Sequence, residues 1–551
     1  MTNNEITFFA ETTFRNQRKK FGIKTDDRRR HMYIIGQTGT GKTTLLMNMM
    51  ISDILAGHGM SFIDPHGDMA ESLLRYVPKE RIKDVIYFNP ADLEHPIAFN
   101  AIEKVNPEVR HLVASGLMGV FKKIWPDVWS ARMEYILNNT ILALLEIPGS
   151  TLLGVNRMFS DKIFRKSIVN QLTDPIIKTF WTQEYANYQQ RYEQEATAAI
   201  QNKIGQFSSA TIIRNIIGQP HSSFEFRKAM DERKIIIINL SKGRIGEDNS
   251  KLLGGMLITK MQLAAMSRVD ILEEDRQDFY LYVDEFQNFV TDAFAAILSE
   301  ARKYRLNLII TNQYIGQLVH DQNVTVKDAV FGNVGTFVAF RTGAEDVEFL
   351  EEKQFGPNIV AQDLLNLPNY NVYLRLMIDG VPSRPFSAIT LAPLPKPEIS
   401  YVDEIIEYSR KAYGTPIAEV EKQIAEASGI EVNTADFVLD LKKPEFTAEP
   451  QKKAYEPKRQ SDTLSFKAFC ELCKKETTLP FKPDGKRPVY CKDCFVKIRE
   501  KGREENKPAF LPPRAIPSFQ KLSPATENKK QRKSVDTEGL KKILEDVLPK
   551  K

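Results

Sequence analysis

Cysteine is nearly absent from this chain of 551 residues, which has only four, all between residues 470 and 494. This clustering excludes a disulfide-stapled secreted domain and indicates a metal site instead. Apolar runs of about 18 residues are also absent, so no transmembrane helix is predicted. The first residues lack the basic and then apolar pattern of a signal peptide, and we therefore expect a cytoplasmic location.

An excess of basic charge is missing as well, because the net charge is only +5. The chain is therefore not a polycation, and any surface that binds nucleic acid has to be local. What is present, 42% hydrophobic and 27% charged residues, is typical of a globular protein. The length predicts several domains and leaves ample material for a large core.

A glycine-rich loop follows the apolar run Met32–Ile35 directly, and a helix-like apolar stretch follows the loop. Together they match G-x-x-x-x-G-K-T between a strand and a helix, the pattern of a phosphate-binding P-loop. Its residues are Gly36, Gln37, Thr38, Gly39, Thr40, Gly41, Lys42, Thr43 and Thr44. A glycine-rich turn that binds nothing is the alternative, which the complete motif and both flanks disfavour. The loop predicts ATP as a ligand, with Lys42 at the β- and γ-phosphates and Thr43 at Mg²⁺.

Two acids close a second apolar run, Phe279 to Val283, in the manner of a Walker B strand. We expect Asp284 to bind Mg²⁺ through water and Glu285 to polarise the attacking water as general base. A third run, Leu306 to Thr311, ends at Asn312 and Gln313. A polar side chain at that end would sense the γ-phosphate, and Gln313 is the first choice with Asn312 in reserve.

Seven strands, beginning near residues 32, 61, 235, 280, 306, 336 and 372, predict an α/β fold with a RecA-like parallel sheet. The predicted divisions are an N-terminal segment 1–30, a motor domain 31–100 and 226–395, an all-α insertion 101–225, surface helices 396–440, a linker 441–465, a zinc ribbon 466–497 and a basic tail 498–551. We interpret residues 1–31 as a solvated polar segment; the alternative is that its arginines contact nucleotide, a neighbouring subunit or DNA. The tail is predicted to be disordered apart from a short helix over Thr537–Leu548.

Several polar residues have two open interpretations. Asp64 and His66, after the second strand, either lie near the phosphates or cap a turn. In the insertion, Phe121, Lys122, Lys123 and Trp125 either contact DNA or are ordinary core and surface. Lys242 and Arg244 are the first candidates for lining a channel.

The four cysteines have the spacing C-x2-C-x17-C-x2-C. Cys470, Cys473, Cys491 and Cys494 together offer the four thiolates of a tetrahedral structural Zn²⁺ site. Four ligands from the protein leave no open position for hydrolysis. The intervening segment 481–490 mixes cations with aromatic residues, which suits either single-stranded nucleic acid or docking to a partner.

The runs GQTGTGKTTLL, FIDPHGD, LYVDEFQNF, SEARKYRLNLIITNQ and GNVGTFVAFRTG resemble those of the HerA/FtsK clan of motors. Within that clan they are most similar to the TraD/TraG-like coupling ATPases of conjugation and type IV secretion. The C-terminal element resembles a zinc ribbon sometimes attached to such ATPases.

The resemblance implies a homo-hexamer that hydrolyses ATP between subunits and moves DNA through a central channel. It matches Arg302 to a proposed arginine finger, with Arg341 as the second candidate. A structural ion pair is the alternative for each.

The resemblance also implies partners such as a relaxase or secretion-channel subunits. Coupling ATPases commonly carry N-terminal membrane helices, so membrane attachment here is expected to come from a partner. The alternatives are a HerA-like DNA-processing motor and an ATP-switched adaptor for protein substrates.

Overall fold

The computed structural model describes residues 5–13, 17–103, 105–319, 323–427, 466–479, 488–492 and 494. The predicted linker 441–465, the predicted tail 498–551 and most of segment 481–490 lie outside these residues. The chain divides into two compact units, Met1–Leu439 and Asp440–Lys551.

The first unit is built on one large sheet. Its strands are β1 (Ile6–Thr12), β2 (Lys20–Lys24), β3 (Met32–Ile35), β4 (Gly59–Asp64), β5 (Val85–Phe88), β6 (Ile235–Asn239), β7 (Phe279–Val283), β8 (Leu306–Asn312), β9 (Thr336–Ala339), β10 (Asn371–Arg375) and β13 (Phe386–Thr390). Their order is β2-β1-β13-β10-β9-β3-β8-β7-β4-β6-β5, and β11 (Met377–Ile378) pairs separately with β12 (Val381–Pro382). The strands from β9 to β5 are mutually parallel.

The predicted α/β fold with a parallel-dominated sheet is confirmed, but the strand predicted near residue 372 is not parallel. Strand β10 pairs antiparallel with β9 and with β13. Its side chains alternate between buried and half-buried, whereas every residue of β3 is buried. Alternation of this kind is typical of an antiparallel strand with one face covered. The short strand β5, which the sequence analysis missed, lies at the parallel edge.

The N-terminal residues also differ from the prediction of a solvated segment. Strands β1 and β2 form an antiparallel hairpin that extends the sheet beyond β13. Arg28, in the short helix that follows, is buried and forms a bidentate ion pair with Asp53. These strands form the outer edge of the sheet, where part of each strand is exposed, and the polar residues of the segment concealed them in the sequence.

Helices cover both faces of the sheet and build the insertion between β5 and β6. They are α1 (Thr25–Arg28), α2 (Lys42–Leu55), α3 (Asp68–Leu73), α4 (Pro107–Ile124), α5 (Ala131–Glu146), α6 (Gly154–Ser160), α7 (Lys162–Gln171), α8 (Pro175–Thr179), α9 (Gln190–Ser209), α10 (Thr211–Ile217), α11 (Phe226–Asp231), α12 (Lys242–Ile245), α13 (Glu247–Met266), α14 (Asp292–Glu300), α15 (Thr325–Asn333), α16 (Ala344–Leu350), α17 (Ala361–Leu365), α18 (Val402–Tyr413) and α19 (Ile417–Ala427).

Successive side chains of the central strands enter two different cores. In β7, Tyr280 and Tyr282 pack with the P-loop helix α2, whereas Leu281 and Val283 pack with the insertion and α13. This separation follows from the two-residue period of a strand. The central parallel strands are therefore buried on both faces, and polar side chains are found at the strand ends.

Helix α18 covers the edge strand β5. The backbone N–H of Tyr87 donates a 2.9 Å hydrogen bond to the hydroxyl of Ser409, which is buried. Ile405, on the same helix, is also fully buried. Helix α18, predicted as a charged surface element, thus protects the edge strand β5 with buried residues on one face.

The second unit contains an antiparallel pair, β14 (Phe466–Phe469) and β15 (Glu476–Leu479). The turn between these strands carries Cys470 and Cys473. The backbone N–H of Cys470 donates to the carbonyl of Lys475, 2.9 Å away, and closes the turn.

Candidate nucleotide site

The predicted P-loop lies between β3 and α2, at the edge where the parallel strands end. Gly39 and Gly41 have φ values of 79° and 122°, which side chains with a Cβ rarely adopt. A Cβ on Gly36 would lie 2.5 Å from the Cβ of Phe340. The hydroxyl of Thr40 donates to the carbonyl of Gln37, 2.7 Å away. The glycines thus let the backbone turn tightly and let the loop pack directly against Phe340.

The side chain of Lys42 lies against the backbone of this loop. Its Nζ donates to the carbonyl of Gly36 and to that of Gln37, the latter at 3.1 Å. Burial lowers its pKa, and the charges of Asp284 and Glu285 act in the opposite direction. Because β3 and β7 both run parallel to β8, the lysine and the two acids lie at the same edge of the sheet. The Thr43 side chain is exposed.

The acid Asp284 sits at the end of β7 and is held by its neighbour strand. The hydroxyl of Thr311, in β8, donates a 2.6 Å hydrogen bond to Oδ1 of Asp284. Burial raises the pKa of Asp284, the Thr311 bond lowers it, and the nearby Asp64 raises it further. Strand β8 lies between β3 and β7. The sequence analysis did not predict Thr311 as a site residue, although its position directly before Asn312 and Gln313, at the end of the strand, could have indicated it.

Glu285 occupies the left-handed region of backbone space, with φ 47° and ψ 50°. One of its carboxylate oxygens accepts a hydrogen bond from the side-chain amide of Gln313. The other accepts from the amide of Gln287, 3.1 Å away. Gln313 and Glu285, both predicted, are therefore in direct contact, and Gln287 is an additional residue that the sequence analysis did not identify.

The reserve candidate Asn312 is engaged elsewhere. Its Oδ1 accepts from the hydroxyl of Tyr33 at 2.6 Å, and its amide donates to the carbonyl of Tyr314 at 2.8 Å. The residue is fully buried. Of the two candidates at this end of β8, Gln313 is therefore the one that contacts Glu285, while Thr311 contacts Asp284.

The two arginine candidates occupy different ends of the sheet. Arg341 lies beside the P-loop, where its guanidinium donates to the carbonyl of Leu367 at 3.2 Å and to Oδ1 of Asn369 at 3.1 Å. Its own carbonyl accepts from the N–H of Gln37. Arg302 lies before β8, at the opposite end of a seven-residue strand. It is exposed and has no ion pair within the described residues.

Asp64 caps a turn and also lies near Asp284. Its two oxygens accept from the backbone N–H groups of His66 and Ala70, at 2.8 and 2.9 Å. The His66 side chain is exposed. Of the proposed channel residues, Arg244 pairs with Glu71 at 2.9 Å, and Lys242 is exposed.

The basic and aromatic residues singled out in the insertion lie in different environments. Phe121 and Trp125 stack in the core with ring centroids 5.0 Å apart. Lys122 is exposed, whereas Lys123 points inward and donates to the carbonyls of Gln287 and Val290.

The four sulfur atoms of Cys470, Cys473, Cys491 and Cys494 all lie within 4.8 Å of one another. Hydrogen bonds from the N–H groups of Cys473 and Cys491 lower the pKa of the Cys470 thiol to about 6. Four soft sulfur donors at this separation fit a tetrahedral Zn²⁺ ion. Residues 464–499 match the model of a probable treble-clef zinc finger, and the predicted zinc site is confirmed.

Residues 19–348, more than half of the chain, match the type IV secretion-system coupling protein DNA-binding domain. The chain belongs to this family. The resemblance to coupling ATPases inferred from the sequence runs is therefore confirmed. A curated relative in this class, the type 4 coupling protein DotL of Legionella pneumophila, is 22% identical over 369 residues. That alignment covers 56% of this chain and spans about half of DotL, 46% of its length.

Solved structures of coupling proteins share the fold of this chain. The bacterial conjugative coupling protein TrwBdeltaN70 aligns with a TM-score of 0.50 and 15% identity, over 70% of this chain and 90% of that one. Plasmid coupling protein TrwB in complex with ADP and Mg²⁺ aligns with a TM-score of 0.51 and 15% identity, over 72% and 98%.

Within the described residues, none of the helices is both long and apolar enough to cross a membrane.

Proposed function

We propose that this coupling-family protein is an ATPase that uses hydrolysis to move DNA. The observation that carries the proposal is the convergence of the P-loop lysine, the paired acids and Gln313 at one edge of the sheet. Family membership and the fold shared with a TrwB structure that holds ADP and Mg²⁺ support it.

Each residue of this site has a definite task in the proposal. The P-loop amides and Lys42 bind the phosphates, so Lys42 exchanges its carbonyl partners for phosphate oxygens. Mg²⁺, held through Thr43 and Asp284, would neutralise charge on the phosphates. Glu285 takes a proton from the attacking water, and Gln313 orients the Glu285 carboxylate and the water.

Arg302 is proposed to act on a neighbouring copy of the chain in a ring. The seven residues of β8 separate it from its own P-loop by about 20 Å, a distance set by the rise per residue of a strand. Its exposed guanidinium has no ion pair within the described part of the chain, so it is available to a phosphate across an interface. Arg341, bonded to its own chain beside Gln37, is assigned to the site in cis.

ATP turnover by the full chain, with and without single- and double-stranded DNA, tests the proposal. We expect DNA to stimulate turnover, and Lys42→Ala or Glu285→Gln to lower it by about 10²-fold or more. Lys228→Ala, at a lysine on an exposed helix face, is the matched control and should have no effect. The absence of ATP turnover would overturn the proposal. Turnover that no DNA stimulates would also overturn it and would favour an ATP-switched adaptor.

A further inference from the structure

One lysine joins the all-α insertion to the segment that follows Glu285. Lys123, near the end of α4, donates from Nζ to the carbonyl of Gln287 at 2.6 Å and to the carbonyl of Val290. Both carbonyls belong to the stretch between β7 and α14. An ammonium group bound to backbone carbonyls is a charge-assisted contact, which is stronger than a neutral one.

The same stretch carries a contact to Glu285, the proposed general base. Gln287 donates from Nε2 to Oε2 of Glu285, 3.1 Å away. The Gln287 side chain is only 9% exposed, and its Oε1 is buried without a hydrogen-bond partner among the described residues. A chain of contacts therefore runs from Lys123 through the backbone and side chain of Gln287 to Glu285.

The conformation of Glu285 depends on such support. A residue with a Cβ is strained in the left-handed region, so the surroundings must hold Glu285 there. Each carboxylate oxygen accepts one amide hydrogen, from Gln313 or from Gln287, and keeps a second lone pair for water. The amides thus aim the carboxylate without blocking it.

Space for movement adjoins this contact chain. A cavity of about 330 Å³ is lined by Lys123, Gln287, Asn288 and Gln317, together with residues of α13. The stretch after Glu285 is therefore tightly packed on only part of its surface. A shift of α4 would draw the Gln287 carbonyl with it and change the aim of Glu285.

We propose that Gln287 is a positioning residue for Glu285 and that Lys123 couples this position to the all-α insertion. Displacement of α4 then alters the rate of ATP hydrolysis through the hydrogen bond from Lys123 to the Gln287 carbonyl and the one from the Gln287 amide to Glu285. The proposal rests on the proposed role of Glu285 as general base.

The first experiment compares Lys123→Met, Lys123→Arg and the control Lys122→Met, which removes an exposed charge from the same helix. We expect Lys123→Met to lower kcat about tenfold, with KM for ATP changed less than twofold, and to reduce stimulation by DNA. Lys123→Arg should restore part of kcat, because a guanidinium also donates to carbonyls. Equal loss in Lys122→Met would overturn the proposal, since charge alone would then explain the effect.

The second experiment uses the pH profile. In Gln287→Glu the new carboxyl donates to Glu285 only when protonated, so its kcat relative to the wild type should rise as the pH falls. Gln287→Leu offers no donor at any pH and should lose activity uniformly. Parallel profiles for the two variants would contradict a positioning role for the side-chain amide.

Hydrogen exchange in the nucleotide-free protein separates this proposal from the proposed function. The N–H groups of Asn288, Phe289 and Val290 bond to the carbonyls of Glu285 and Phe286. We expect them to exchange about tenfold faster in Lys123→Met than in Lys122→Met. If the wild type has no ATPase activity but this difference appears, only the function is wrong; equal exchange overturns the coupling.

Discussion

Thr311 Oγ1 donates a hydrogen bond of 2.6 Å to Asp284 Oδ1 across the pair of neighbouring strands β8 and β7. The bond favours the ionised form of a carboxyl whose pKa burial raises above the usual value. In the proposed site Asp284 holds Mg²⁺, which requires the ionised carboxylate, so we expect the Thr311 hydroxyl to raise the affinity for the metal.

Replacement of Thr311 by Val should raise the pKa of Asp284 further, because the bond that lowers it is lost. The Mg²⁺ concentration for half-maximal ATP turnover should then increase several-fold. The increase should be larger at pH 6 than at pH 8, because protons compete with the metal as the pH falls. Thr311→Ser keeps the hydroxyl and is the control. An identical Mg²⁺ requirement in the Val variant at both pH values would show that the bond has no effect on the site.

Arg302→Ala and Glu285→Gln should complement each other when mixed. Each variant alone is expected to lose turnover by about 10²-fold or more, while ATP binding persists. In mixed rings, an intact Glu285 on one chain meets an intact Arg302 on its neighbour, and part of the activity returns. A mixture of Arg341→Ala with Glu285→Gln should recover none if Arg341 acts in cis. Failure of the first mixture to recover activity would exclude Arg302 as a finger in trans.

The pair Arg28–Asp53 should dominate the anchoring of the N-terminal strands. Both side chains are at most 2% exposed, and Arg28 also donates to Thr7 and Tyr282. Asp53→Asn leaves an unpaired buried cation and should lower the free energy of unfolding by about 3–5 kcal/mol. The double variant Arg28→Met, Asp53→Leu should recover most of this loss.

Urea unfolding measures these changes, with the exposed pair Arg191–Glu195 as control. Their side chains are 91% and 60% exposed, so Arg191→Ala should cost less than about 0.5 kcal/mol. Similar costs for Asp53→Asn and Arg191→Ala would show that burial of the Arg28 pair contributes nothing.

Elemental analysis of the purified chain should find one zinc ion for the four-cysteine site. Cys470→Ser removes a buried thiol ligand and should abolish that zinc, because a hydroxyl is a far weaker ligand than a thiolate. Glu471→Gln, at an exposed position of the same turn, should retain it. Zinc retained at full stoichiometry in Cys470→Ser would refute the proposed ligand set.

Local patterns were sufficient for the strand–loop–helix around Lys42, the acids after β7 and the cysteine spacing. Each of these depends on residues close together in sequence, where sterics and charge act directly. The short strand β5 was missed because its pairing partner β6 is distant in sequence. The hairpin β1–β2 was missed because its residues lie in a polar N-terminal segment at the outer edge of the sheet. The direction of β10 was wrong, although its alternating burial was a signal for antiparallel pairing.

The residue order alone specifies the chemical groups of the site: a glycine-rich loop, paired acids and four thiols in metal-binding order. Which of these groups come into contact depends on the folded sheet, since β8 lies between β3 and β7 and brings Thr311 to Asp284 and Gln313 to Glu285. The tertiary structure also turned Lys123 inward and directed Asn312 to Tyr33. The physical reason is that strand order and helix docking are set by burial across the whole sheet, which no short stretch of sequence encodes.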